Sequence, residues 1–169
     1  MSSAAPSKEK IGPAIGRLAS GVYIVTVDVA GKKDGMLATW ITQAGFDPPS
    51  LVVSVNKQRD ILRAMNVGDR FTINVLSNRN MDIFKAFAKP HNDEKFAGLA
   101  LKESLAGSHE GSTSAGPVFA EAVSYIDLKV QSVTEVGDHV LVVGEVIDGE
   151  LLNGQDEPMT HLRKDGFKY

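Results

Sequence analysis

The chain has 169 residues, 43% hydrophobic and 23% charged, with 16 glycines. This fits one well-cored soluble domain and excludes collagen-like, disordered and membrane-embedded classes. A formal net charge of −3 lacks the basic footprint of a nucleic-acid binder, and the absence of cysteine excludes disulfides, thiolate metal sites and cysteine nucleophiles. The first ten residues carry no apolar signal segment, and no apolar run approaches the ~20 residues of a membrane span. The expected location is therefore the cytoplasm, with neither a membrane nor nucleic acid as partner.

Residues 1–10 (MSSAAPSKEK) are small and polar and read as a flexible lead-in or linker, so the domain is expected over 11–169. Ala14, Ile15, Leu18 and Ala19 recur at helical spacing and predict a short helix over 12–19 that stops before Gly21. Val22–Val27 (VYIVTV) is a β-branched strand, followed by a turn over Gly31–Gly35. Met36–Ala44 resumes an extended pattern up to the Asp47-Pro48-Pro49 break, and Leu51–Val55 forms another strand. Asp60 is placed to cap a brief helix carrying Ile61, Leu62 and Met65 on one face.

Phe71, Ile73 and Val75 alternate with Thr72 and Asn74, the pattern of a half-buried strand. Met81, Phe84, Phe87 and Ala88 then share a helical face that Pro90 closes, and the Gly- and Ser-rich stretch 104–116 reads as a surface loop. Ile126, Leu128 and Val130 alternate with polar residues, as do Val140, Val142 and Val146 in the next run, and Gly137-Asp138 between the runs is a hairpin signal. Six or so strands with short helices and no strand-helix alternation predict a mainly β fold, an antiparallel barrel.

Neither GxGxxG nor GxxxxGK[ST] occurs, so a nucleotide would have to be held without the usual glycine-rich phosphate cradles. His91, His109, His139 and His161 show no tight ligand spacing, and no metal site is expected. The stretch MLATWITQ holds the only tryptophan and mixes hydroxyls with apolar residues. It reads either as a strand with an edge of hydroxyls or as a wall whose amides and Thr39 meet a flavin ring edge while Trp40 shields one side. Asn56, Lys57 and Arg59 follow a strand at once, either as a solvated end or as a grip on phosphate through charge-assisted hydrogen bonds. His139 opens a strand after the hairpin, either as a surface residue or as one that meets a nicotinamide or stabilises flavin charge.

The ordered series GVYIVTV, GMLATWITQAGFDPPSLVVSVNK, GDRFTINVL, FAKPHNDEKFAGL and GDHVLVVGEV resembles the flavin reductase-like family of FMN-binding split barrels. The forms MLATWITQ, NKQRDI and VGDRFTINVL are most similar to the C-terminal reductase module of cyanobacterial-type diflavin flavodiiron proteins. The resemblance implies an antiparallel Greek-key split barrel, FMN (FAD as the alternative) held without a Rossmann fold, NAD(P)H as co-substrate, and a homodimer. It also implies upstream diiron and flavodoxin-like modules. Carried over by position, the flavin-edge segment falls on Met36, Leu37, Thr39, Trp40 and Gln43, the phosphate-proximal segment on Asn56, Lys57 and Arg59, and the helix end beside the cofactor on Phe87 and Lys89, with His139 in the catalytic place.

The implied function is an NAD(P)H:flavin oxidoreductase that passes electrons to free flavin or, within a diflavin protein, towards oxygen. An FMN electron carrier resembling flavoredoxin, without nicotinamide oxidation, is the alternative, and a split barrel that has lost flavin is a third class.

Overall fold

The computed structural model describes residues 6–89, 94–102 and 115–168. The chain runs α1 (Lys8–Ile15), β1 (Ser20–Gly21), β2 (Tyr23–Val29), β3 (Lys32–Ala38), β4 (Ile41–Phe46), β5 (Pro49–Asn56), a 3₁₀ turn over Asp60–Ala64, β6 (Arg70–Val75), α2 (Met81–Ala88), β7 (Leu101–Lys102), β8 (Val118–Phe119), β9 (Ser124–Val136), β10 (His139–Leu151) and β11 (Thr160–His161). The seven long strands form one antiparallel sheet in the order β3-β2-β6-β9-β10-β5-β4. Its two edge strands, β3 and β4, are consecutive in the chain and joined only through Thr39 and Trp40. The sheet must therefore curl until its edges meet at this corner, where the Ser54 amide donates to the Trp40 carbonyl at 2.9 Å. This is the antiparallel barrel expected from the strand count, in the split form that the resemblance implies.

The interior is filled by residues of one parity from six of the seven long strands: Val25 and Val27, Met36 and Ala38, Val53 and Val55, Phe71 and Ile73, Leu128 and Val130, Val140 and Val142. Ile61 and Met65, from the 3₁₀ turn and just after it, add to this core. A second core lies on the outer face, where Ile83 and Phe87 of α2 pack with Val22, Ile24, Leu76 and Phe119. Gly35 lies against the helix: a Cβ there would sit 2.9 Å from the Phe87 ring, so a larger residue would require displacement.

Several local expectations are corrected. The first helix begins at Lys8, takes three residues from the expected lead-in, and ends at Ile15; residues 16–19 leave the helix because Ser20 and Gly21 pair with His161 and Thr160. The turn after β2 is confined to Ala30 and Gly31, at φ 53° and 84°, and Lys32–Gly35 belong to β3. Met36–Ala44 is not one strand but the end of β3, the corner and the start of β4. On α2 the buried residues are Ile83 and Phe87, whereas Met81 is exposed.

Strand β6 is buried on both faces. Thr72 donates to the Asp127 carboxylate, and the Asn74 side chain accepts from the Phe119 amide at 2.9 Å and donates to the Pro117 carbonyl at 3.2 Å. Alternation cannot reveal such polar residues when their partners come from distant sequence. Ala115 and Gly116, read as part of a surface loop, are buried against this network; residues 104–114 of that loop, and Pro90, lie outside the described residues. At the β9–β10 turn Gly137 takes φ 58° while Asp138 stays at negative φ, so a single glycine supplies the left-handed position of the hairpin.

Candidate functional site

The corner between β3 and β4 opens a cleft of about 260 Å³. Four pieces of chain build it. The end of β3 and the corner supply Met36, Leu37, Ala38, Thr39 and Trp40; the end of β5 supplies Ser54, Val55 and Asn56; Arg59 follows; the end of α2 supplies Phe87, Ala88 and Lys89. Lys89 leaves the helix in an extended conformation (φ −76°, ψ 161°), as the residue before a proline prefers, and this turns it to the cleft. Two strand ends and a helix end thus converge where the sheet must bend.

The chemistry is graded. Met36, Leu37, Ala38, Trp40, Val55 and Phe87 give an apolar wall; Thr39, Ser54 and Asn56 give hydrogen-bonding groups; Arg59 and Lys89 give two cations, both exposed and in no ion pair among the described residues. The volume lies just under the ~300–1,000 Å³ typical of pockets that enclose a drug-sized ligand. The order of groups, apolar wall, then hydrogen-bonding groups, then cations, matches that of a flat ring system bearing an anionic chain. A flavin bearing a phosphate chain has that order of groups, so the chemistry of the residues present fits the flavin that the sequence resemblance implies.

His139 and Arg163 pack against Trp40. The His139 ring centre lies 4.9 Å from the Trp40 ring at a 36° tilt, and the Arg163 guanidinium carbon lies 5.1 Å from the Trp40 ring centre. Register explains the histidine: His139 opens β10 opposite Asn56 of β5, so it stands beside a cleft residue. Its side chain is 11% exposed, and its Nδ1 shares a hydrogen bond with Asp138 Oδ1 at 2.8 Å. That bond holds the Asp138 carboxyl below the usual aspartate range.

Of the sequence-predicted residues, the cleft brings together Met36, Leu37, Thr39, Trp40, Asn56, Arg59, Phe87 and Lys89. Three stand outside its wall. Gln43 is exposed on β4 and donates to the Gly45 carbonyl at 3.3 Å. Lys57 points away and pairs with Glu135 at 2.6 Å, an ion pair that holds the Glu135 carboxyl below its usual range. His139 touches Trp40 rather than the cleft. Sequence reasoning missed Ala38, Ser54, Val55, Ala88 and Arg163. Ala38, Val55 and Ala88 flank predicted residues and Ser54 lies two before Asn56, whereas Arg163 lies in a polar C-terminal stretch without any local signal.

A curled antiparallel sheet with a ring-sized cleft at its closing corner defines a split-barrel ligand-binding domain. The model of the flavin reductase like domain matches residues 15–168, and the chain belongs to this family. It is 36% identical over 159 residues to diflavin flavoprotein A 1 of Synechocystis sp. (strain ATCC 27184 / PCC 6803 / Kazusa), a match covering 92% of this chain and 26% of that protein. The chain thus spans about a quarter of the length of this curated relative. Among solved structures, the NADH:FAD oxidoreductase SgcE6 of Streptomyces globisporus C-1027, in complex with NAD and FAD fragments, superposes with a TM-score of 0.75 at 24% identity, over 91% of this chain and 86% of that one. Flavin reductase HpaC complexed with NADP+ superposes with a TM-score of 0.76 at 24% identity, over 94% and 95%. These two likenesses establish the shared fold. No helix among the described residues is long and apolar enough to cross a membrane.

Proposed function

We propose that this domain binds FMN in the corner cleft, with FAD as the alternative, and oxidises NAD(P)H. The observation that carries the reading is the graded cleft itself: an apolar wall, then hydroxyl and amide groups, then two cations without ion-pair partners among the described residues. Bound flavin would supply the acceptor for an electron pair from the nicotinamide. The protein's part is binding, orientation and electrostatics. Trp40 and Phe87 wall the ring, Thr39, Ser54 and Asn56 offer hydrogen bonds along the polar edge, and Arg59 and Lys89 hold the phosphate. His139, beside Trp40 and Asn56, orients the nicotinamide and steadies negative charge that develops at the cleft.

The electrons pass to free flavin or, where diiron and flavodoxin-like modules are present as in a diflavin flavodiiron protein, towards oxygen. The likeness to diflavin flavoprotein A 1 supports the second route. We also propose a homodimer, supported by apolar side chains left exposed on the sheet: Phe46 at the β4 tip, 89% exposed, and Val133 and Val136 on the outer half of β9.

Anaerobic addition of NADH or NADPH to FMN-reconstituted protein tests the reading. Rapid loss of the flavin's visible absorption supports the reductase and names the donor. Stable FMN binding without that loss favours an electron carrier resembling flavoredoxin, a reading that draws support from His139 lying against Trp40 instead of on the cleft wall.

A further inference from the structure

A buried guanidinium normally requires a carboxylate, because an isolated charge in a low-dielectric interior is costly. Arg163 is 7% exposed, and no carboxylate pairs with it among the described residues. Its Nη1 donates to the Gly166 carbonyl at 3.2 Å, its Nε is buried without a hydrogen-bond partner, and its guanidinium carbon sits 5.1 Å from the Trp40 ring centre. The ring face of the only tryptophan is thus a principal compensating group for this charge. The cleft wall includes Trp40 but not Arg163, so the cation braces the wall from outside.

The brace is itself anchored. The Arg163 amide donates to the Gly16 carbonyl at 3.2 Å, and the Gly166 amide donates to the Gly12 carbonyl at 2.7 Å, so the segment after β11 is tied to α1 and its C-terminal turn. Both ends of the described chain therefore converge on one guanidinium. We infer that Arg163 is a positioning residue of the flavin site: it fixes the Trp40 ring from outside the cleft before any ligand enters. The inference rests on the flavin reading for its consequence in binding, but the brace itself is a property of the free protein.

Because Trp40 is the only tryptophan, its fluorescence reports the brace without any flavin. In the flavin-free domain, Arg163→Met should raise the acrylamide quenching constant of Trp40 about twofold or more, and Arg163→Lys, which keeps the charge but loses the planar stacking surface, should give an intermediate value. Unchanged quenching in both variants overturns the inference, and the lysine variant decides alone if the methionine variant does not fold. A double-mutant cycle separates bracing from mere tethering of the tail. Arg163→Met should raise the FMN dissociation constant roughly tenfold with Trp40 present, but less than about twofold in a Trp40→Leu background. An equal loss in both backgrounds assigns Arg163 to tail attachment and overturns it. If the unmodified domain takes up no FMN, the flavin reading fails while the quenching result still decides the brace.

Discussion

The two ends of the cleft are built on opposite physical terms. At the Trp40 end the indole packs against an imidazole and a guanidinium, both mostly buried. At the Arg59 and Lys89 end the side chains stand in solvent, with no ion-pair partner among the described residues. A packed wall is set in advance and loses little freedom when a ring slides against it. An exposed cationic rim attracts from a distance, gives up side-chain entropy on binding, and is screened by salt. Shape selectivity should therefore reside in the wall, and salt-sensitive affinity in the rim.

Removing the wall has the largest expected effect. Trp40→Leu should cost about 2 kcal/mol of FMN binding, roughly thirtyfold in the dissociation constant, because it loses aromatic area and the stacking geometry together. The loss should be nearly the same at low and high ionic strength, as measured by flavin fluorescence titration. A loss that shrinks with added salt would mean that wall and rim do not divide the work in this way.

The wall also shows what the sequence could and could not disclose. The two runs flanking Gly137-Asp138 are legible as strands because a half-buried strand writes its period into the chain, whereas VYIVTV and RFTINV, buried on consecutive positions, are legible from their β-branched and aromatic residues. Together with the run of strands before Asn56 and no regular strand-helix alternation, they are enough to predict an antiparallel barrel. The closing corner is not legible: Thr39 and Trp40 sit in a run that remains extended in character, and only the requirement that β3 and β4 be opposite edges of one sheet breaks it. Eight candidate residues reached the cleft because they cluster at strand and helix ends, which converge in a barrel. Lys57 and Gln43 did not, since each side-chain direction depends on register. Arg163 was invisible for a stronger reason. A guanidinium in HLRKDGFKY has the composition of a solvated tail, and its burial against an indole more than a hundred positions away arises only in the folded chain.

His139 links the wall to the chemistry. His139→Ala should slow NAD(P)H-driven flavin reduction roughly tenfold or more while changing FMN affinity less than about threefold, since its ring touches Trp40 and not the cleft. Stopped-flow absorbance checks the rate and titration the affinity. An unchanged rate would make His139 a packing neighbour of Trp40 only. At the rim, Arg59→Ala should weaken FMN binding by about 1 kcal/mol, roughly fivefold, at low salt, and the difference should fall as the salt concentration rises. Equal affinity at low salt would remove Arg59 from the site.

The smallest effect is expected at Lys57, which tests whether proximity in sequence or geometry assigns the rim. Lys57 adjoins Asn56 in the chain, yet its amine is engaged by Glu135 at 2.6 Å, and its backbone amide donates to the Asp138 carbonyl at 3.0 Å. It therefore works on the hairpin beside the cleft. Lys57→Ala should leave FMN affinity within about twofold, because a surface ion pair directed elsewhere adds little to the cleft. The change should register in Glu135 instead. The Lys57 hydrogen bond and charge lower the Glu135 pKa in the folded protein, so the stabilisation it brings is present above the ordinary glutamate value and is lost as pH falls through the lowered one. Without the lysine, that pKa should rise towards the ordinary range, as carboxyl-detected NMR titration would measure. A large loss of FMN affinity together with an unshifted Glu135 would return Lys57 to the phosphate rim.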